Sequence, residues 1–364
     1  MKTTSRLAVV AAAGLFMSGT AHAGGAIGGN CCADLEERVA ELEATTARKG
    51  NRRVSLTVYG QVSKALLFSD EIDTSGDGTA IIDNENSASR FGFKGKARIS
   101  SDLYAGYKVE FEIEGFSDAE EGPDTLTLRH NDVYIGSKTL GKLSIGQGST
   151  ASDGIAEIDL SGTALANGTS NLSGYATSGH AFDQLDGDSR KERVRYDSPT
   201  LAGFKVSASW QDNEDYDVAL RFGSTFGDFT IAAGVAYLNE EDSEGTETVS
   251  GSVSALHIPT GLNVTFAAGD QDADDVDDEK SFYYVKGGIK RKVFAAGTTA
   301  FSVDYQVEED AQGDEADKIG FQLVQTIDAA AMDLFVAGWS TEADAAFNGG
   351  GDEDAIVIGT RIQF

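Results

Sequence analysis

From residue 54 to the end of the chain, apolar and polar positions alternate with period two, in short runs separated by breaks. The clearest run, residues 89–115, reads SRFGFKGKARISSDLYAGYKVEFEIEG. In its first arm Phe91, Phe93, Ala97 and Ile99 share one face with Gly95, while Arg90, Lys94, Lys96 and Arg98 share the other. In its second arm Leu103, Ala105, Tyr107, Val109, Phe111 and Ile113 oppose Tyr104, Lys108, Glu110, Glu112 and Glu114. Side chains along a strand alternate faces, so this pattern predicts an antiparallel hairpin turning at residues 100–102. Its polar face sets cations on one arm against carboxylates on the next, more ordered charge than a solvated surface sheet needs. We read the apolar face as lipid-facing and the charged face as the wall of a water-filled lumen.

The same alternation predicts strands at 54–68, in the two arms of the hairpin, and at 125–136, 142–148, 193–198, 204–211, 217–224 and 229–238. It continues at 248–258, 262–269, 281–290, 298–307, 317–327, 332–341 and 355–364, which makes sixteen. In the first, Val54, Leu56, Val58, Val62, Leu66 and Phe68 face one way and Ser55, Thr57, Tyr59, Gln61 and Ser63 the other; in 125–136 the facing of Val133 and Ile135 is ambiguous. The joints alternate in kind. Compact ones carry turn residues, such as Ser198-Pro199-Thr200 and Pro259-Thr260-Gly261. The others are long and acidic, as at 69–87, 116–124, 239–247, 270–280, 308–316 and 342–354. Short turns at one end, long loops at the other and an even strand number are the pattern of an outer-membrane barrel, whose first and last strands must meet. The fold expected is therefore all-β: a sixteen-stranded antiparallel transmembrane β-barrel.

The N-terminus adds a compartment. Lys2 and Arg6 precede an apolar run over 7–17, and Ala21-His22-Ala23 supplies a cleavage site, which together read as a signal peptide over 1–23. Residues 24–53 form a lead-in with a helix at 33–47, where Leu35, Val39 and Leu42 take coiled-coil spacing. That helix reads either as a trimeric coiled-coil stub or as a periplasmic helix lying against something else. The barrel occupies 54–364. No later segment has 18 consecutive apolar residues, so a helical membrane protein is excluded. Cys31 and Cys32 are adjacent and lack CxxC spacing, so no role is assigned to them.

A net charge of −30 argues against nucleic acid as a partner. His130, His180 and His257 sit in no catalytic motif, so no enzyme is expected, and no cofactor. Asp270, Asp272 and Asp274 match the first ligand positions of an EF-hand loop, but Asp275 replaces its turn glycine; a solvated external loop is the better reading, with weak divalent-cation binding at acidic loops as an option.

Several segments carry a family resemblance: CCADLEERVAELEATTA at 31–47, VSLTVYGQV at 54–62, SRFGFKGKA at 89–97, LGKLSIGQ at 140–147, RVRYDSPTLAGF at 193–204, and the terminal Phe364. Taken together and in this order, they resemble the general outer-membrane porins of rhizobia and related alphaproteobacteria. The resemblance implies a sixteen-stranded barrel, a homotrimer, and a third external loop folded into the lumen. Phe364 then matches the terminal aromatic that such barrels present to the barrel-assembly machinery.

The loop so implied is 149–192, long and without sustained periodicity, with Asp153, Glu157 and Asp159 on a segment that also holds Ile155, Ile158 and Leu160. Opposite these acids the resemblance places a basic wall, for which the inward candidates are Arg90, Lys94, Lys96, Arg98, Arg129, Arg193 and Arg195. Opposed charge across a narrow gap makes a transverse field that polar solutes tolerate and apolar ones do not. The function expected is passive diffusion of small hydrophilic solutes across the Gram-negative outer membrane, with a mild cation preference set by the acidic loops, in contact with lipid and lipopolysaccharide. A substrate-specific channel, for sugars for example, would need an aromatic ladder, for which only Tyr59 and Tyr104 are inward. A structural or adhesive barrel is the remaining alternative.

Overall fold

The computed structural model describes residues 53–69, 78–114, 125–166, 184–211, 214–241, 245–273, 279–309, 313–344 and 351–364. The signal peptide (1–23), the lead-in with its helix and Cys31-Cys32, and residues 167–183 of the long central stretch lie outside the described residues.

The strands are β1 (Thr57–Ser69), β2 (Thr79–Asp83), β3 (Arg90–Arg98), β4 (Leu103–Glu114), β5 (Thr125–Ser137), β6 (Gly141–Ser149), β7 (Arg190–Asp197), β8 (Phe204–Gln211) and β9 (Tyr216–Phe226). They continue as β10 (Phe229–Glu240), β11 (Thr246–His257), β12 (Leu262–Ala273), β13 (Glu279–Phe294), β14 (Gly297–Glu309), β15 (Glu315–Ile327), β16 (Met332–Ala343) and β17 (Gly351–Gln363). Apart from β2 and β3, which do not pair with each other, each strand pairs antiparallel with its neighbour in sequence, and β17 returns to β1 in a ladder from Gln61–Gln363 to Ser69–Ala355. β2 and β3 both pair with β1, along Lys64–Phe68 and Thr57–Gln61, so they share one position in the wall. The seventeen strands therefore fill sixteen barrel positions. The short strand β2 lies in a stretch that the alternation alone reads as loop.

Closure leaves no strand edge unpaired, which hydrocarbon requires. The terminal Phe364 completes the seam, exchanging backbone hydrogen bonds with Gly60 at 3.0 Å each way. The faces are as expected: Val58, Val62, Leu66, Ile356, Ile358 and Ile362 are exposed on the outside, while Ser63, Ser207, Ser302 and Gln322 are buried inside. The ambiguity in 125–136 has a physical cause. The β4–β5 register shifts between Glu110 and Phe111, which leaves Arg129 as the extra residue of a β-bulge. Exposed positions thus change parity across it, from Leu126 and Leu128 to Val133 and Ile135.

Among the described residues, the packed apolar clusters form between the wall and residues 150–166 and 184–189, which lie inside the barrel. Ala151 and Ile155 pack with Ala219 and Ala236. Ala156 and Leu185 pack with Ala267, Phe282 and Tyr284. Leu165 and Ala166 pack with Ile82, Leu67, Phe335, Ala337, Trp339 and Val357. Glycines make room for this loop, because a Cβ on Gly234 would come 2.5 Å from Ile155.

Glycine–tyrosine pairs also fill the inner face near the short-turn end. Tyr104 and Tyr134 lie across the strands from Gly136 and Gly106, and a Cβ on Gly106 would run into the Tyr134 ring and hydroxyl. Overpacking of this kind costs about 1–3 kcal/mol. We therefore expect Gly106→Val to lower the temperature at which the barrel changes from folded to unfolded migration on a denaturing gel.

Candidate constriction site

The inward loop leaves β6 and is gripped at its root by three arginines. Arg193 donates to the carbonyls of Gly146 and Ser149 at 2.8 and 2.9 Å and pairs with Asp132 at 2.7 Å. Arg195 donates to the carbonyls of Ser149 and Thr150, and Arg221 to those of Ala151 and Asp153 at 2.7 and 2.8 Å. Along the wall the loop amides of Ile158 and Leu160 donate to Ser252 and Ser254 at 3.1 and 3.0 Å. Asp159 reaches Lys286, 0 % exposed on β13, at 3.0 Å. Thr163 meets Ser302 at 2.7 Å, and Asn84 and Asn86 hold the carbonyls of Leu165 and Ala166 at 3.0 and 3.3 Å. The described segment thus runs along the wall from β9 through β14 to the junction of β2 and β3.

The returning limb is tied to the outgoing one by Asp186, whose carboxylate accepts the amides of Gly154 and Ala156 at 2.7 and 2.5 Å. Gln184 donates to Glu157 at 3.0 Å. Burial, and then the charge of Glu157, push the Asp186 carboxyl well above the usual carboxylate range. Burial raises Glu157 too, with Asp153 adding to it.

Of the predicted acids, Asp153 and Glu157 make no ion pair among the described residues, whereas Asp159 is used on Lys286 as an anchor. Of the predicted cations, Arg90 and Arg129 lie with Arg190 in one electrostatic group, and Glu157 is within range of both Arg129 and Arg190. Arg129 is braced by Glu110 and Glu112 across the bulge. Arg193 and Arg195 serve the loop root. Lys94, Lys96 and Arg98 are not brought to the loop: β3 carries them toward its short turn, where Lys94 and Lys96 cap the rings of Tyr59 and Tyr104 at 4.7 and 4.1 Å. Arg98 donates to the Ser100 carbonyl at 2.9 Å.

Sequence reasoning missed Arg190, Arg221, Lys286 and Asp186. Arg190 opens β7 inside the stretch read as loop, and its Nε is buried without a hydrogen-bond partner. Arg221 and Lys286 stand on inward positions, and strand parity alone could have found them. Asp270 and Asp272 belong to β12, so they do not form the start of an EF-hand loop. Elsewhere, carboxylate oxygens of Asp188, Asp215 and Glu240 lie within 4.8 Å of one another, and Lys191 sits 2.9 Å from Asp188 as a cation for that group.

A closed barrel with polar lumen, apolar exterior and a loop folded inside defines an outer-membrane channel. Residues 7–354 match the family model of Gram-negative porins, and the chain belongs to that family. It is an outer-membrane diffusion channel. No curated protein matches it. Among solved structures it is similar to the anion-selective porin of Comamonas acidovorans, at TM-score 0.63 and 15% identity over 85% of this chain and 100% of that one. It is also similar to a loop-deletion mutant of OmpT from Vibrio cholerae (0.61, 18%, covering 86% and 100%) and to OmpF of Salmonella typhi (0.61, 14%, covering 86% and 98%). At these identities the likeness shows the fold.

The raised Glu157 carboxyl gains its proton above the ordinary carboxylate range as pH falls. Loss of that charge weakens the attraction for cations. Reversal potentials in a salt gradient should therefore shift on acidification before surface carboxylates titrate, near pH 4, and Glu157→Gln should make that early shift smaller.

Proposed function

We propose that this porin is a passive homotrimeric channel for small hydrophilic solutes, with its filter between an acidic loop and a basic wall. Asp153, Glu157 and Asp186 form the acidic side; Arg90, Arg129 and Arg190 form the basic side. The observation that carries this reading is a closed barrel with an acidic loop inside it, the segment bearing Asp153 and Glu157 being bonded at its root to Arg193, Arg195 and Arg221 of the wall. Charges opposed across a gap orient water and dipolar solutes and penalise apolar ones. The acidic mouth raises cation concentration at the entrance, which supports a mild cation preference. A sugar-specific track is disfavoured, because the inward rings of Tyr59, Tyr104 and Tyr134 each have a lysine ammonium over them, at 4.7, 4.1 and 5.7 Å.

Within the family we assign the chain to the type found in rhizobia and related alphaproteobacteria, on the segments quoted above. Lipopolysaccharide, weak divalent cations at the acidic loops, and the assembly machinery at Phe364 complete the proposed partners; no cofactor is invoked.

Single-channel conductance in a planar bilayer is the direct test, and a protein that folds and inserts without conducting contradicts the reading. Arg90→Ser and Arg190→Ser should each raise cation selectivity, while Arg98→Ser, at the turn, should leave the reversal potential as in wild type.

A further inference from the structure

A barrel strand interrupted within the hydrocarbon band is costly, because each unsatisfied backbone group there costs several kcal/mol. The second barrel position is interrupted midway along β1. Asp83 pairs with Lys64 and Arg90 with Gln61, so residues 84–89 stand opposite only Val62 and Ser63, in the middle of β1. Residues Glu85–Ser87 form a 3-10 turn there.

Side chains repair the ladder. The Ser63 amide donates to Ser89 Oγ at 2.9 Å, and Ser89 Oγ donates back to the Ser63 carbonyl at 3.2 Å. Gln61 Nε2 donates to the carbonyls of Ser87 and Ala88, both at 2.9 Å. The Ser89 amide donates to Asp83 at 2.7 Å, and Arg361 donates to Ser87 Oγ at 3.0 Å. A break repaired this thoroughly gives the wall no advantage over a continuous strand. What it changes is direction: the Asn84 amide stays on the wall, 3.4 Å from the Ser63 carbonyl, while the side chains of Asn84 and Asn86 turn to the inward loop.

There Asn84 Nδ2 donates to the Leu165 carbonyl at 3.0 Å and Asn86 Nδ2 to the Ala166 carbonyl at 3.3 Å. Leu165 and Ala166 are 8 % and 0 % exposed, on an apolar patch of inward residues around Phe335 and Trp339. Inward positions of a water-filled barrel are ordinarily polar, so this patch also requires a cover. The polar clasp and the apolar seat act on the same two loop residues.

We propose that the break between β2 and β3 is a latch for the constriction loop. Asn84 and Asn86 are positioning residues that hold Leu165 and Ala166 on the apolar seat and so set the width of the channel. This rests on the reading of the barrel as an open pore. The latch fixes the described outgoing segment at its last residues, as the arginines fix it at its root.

The test compares full-length wild type, Asn84→Ala/Asn86→Ala, Leu165→Asp and Leu165→Met, each refolded and checked for heat-modifiable migration. Single-channel conductance, open-channel noise and liposome swelling with neutral sugars of increasing size are read for each. The latch predicts that the asparagine pair and Leu165→Asp stay folded, conduct more than wild type with greater noise, and admit larger sugars. Leu165→Met, which keeps an apolar side chain on the seat, should match wild type. Folded variants that conduct and sieve like wild type overturn the proposal. If Leu165→Asp does not fold, the asparagine pair alone decides. Wild type that fails to conduct overturns the pore reading and the latch with it, an outcome distinct from a conducting wild type with unaltered variants.

Discussion

Every backbone amide and carbonyl in the membrane must find a partner in the protein, and the rest of this structure depends on that constraint. Strands satisfy it only by closing, which β1 and β17 do along nine residue pairs, ending where Phe364 exchanges bonds with Gly60. Closure divides each strand into an outward and an inward set, so the apolar and polar alternation is a consequence of the solvent on either side. Where the wall departs from regularity, the constraint is still met. The bulge at Arg129 adds one residue and turns its guanidinium toward Glu110 and Glu112. The break at residues 84–89 is closed by serine, glutamine, aspartate and arginine side chains.

Such a barrel has no core of its own, because its exterior meets lipid and its interior meets water. The core lies instead between wall and loop, in three apolar clusters that each pair loop residues with inward wall residues. Burying an aliphatic side chain such as Ile155 or Leu165 contributes about 1.5–3 kcal/mol. The polar contacts fix direction rather than supply most of the energy: Arg193, Arg195 and Arg221 at the root, Lys286 midway, Asn84 and Asn86 at the end. A loop held this way is part of the wall's architecture, and its acids stand at defined places in the lumen.

The electrostatics follow from what remains after these contacts are made. Lys286 neutralises Asp159, Asp132 neutralises Arg193, and Asp333 neutralises Arg361. Arg129 is likewise paired with Glu110 and Glu112 across the bulge, whereas Asp153 and Glu157 on the loop make no ion pair among the described residues. Of the charges on inward strand positions, most hold the loop or one another.

The sequence by itself determined the sixteen barrel positions, though not the extra short strand β2, together with the facing of nearly every run and the alternation of short and long joints, because a two-residue period between lipid and water leaves no other arrangement. It also marked 149–192 as the stretch that had to do something other than span, through its length and its mixture of acids with Ile155 and Ile158. Only the tertiary structure decided which charges meet. Arg90 and Arg98 share a face of β3, yet one lies among the wall arginines and the other at a turn, since height along a strand is invisible to its period. Arg190 was hidden by a strand that begins inside an aperiodic stretch; Lys286 and Arg221 were legible as inward by parity, but that the loop is what they hold was not. The apolar seat around Phe335 and Trp339 was unreadable for the same reason: an inward apolar residue has a cause only when the segment that covers it, distant in sequence, is in place.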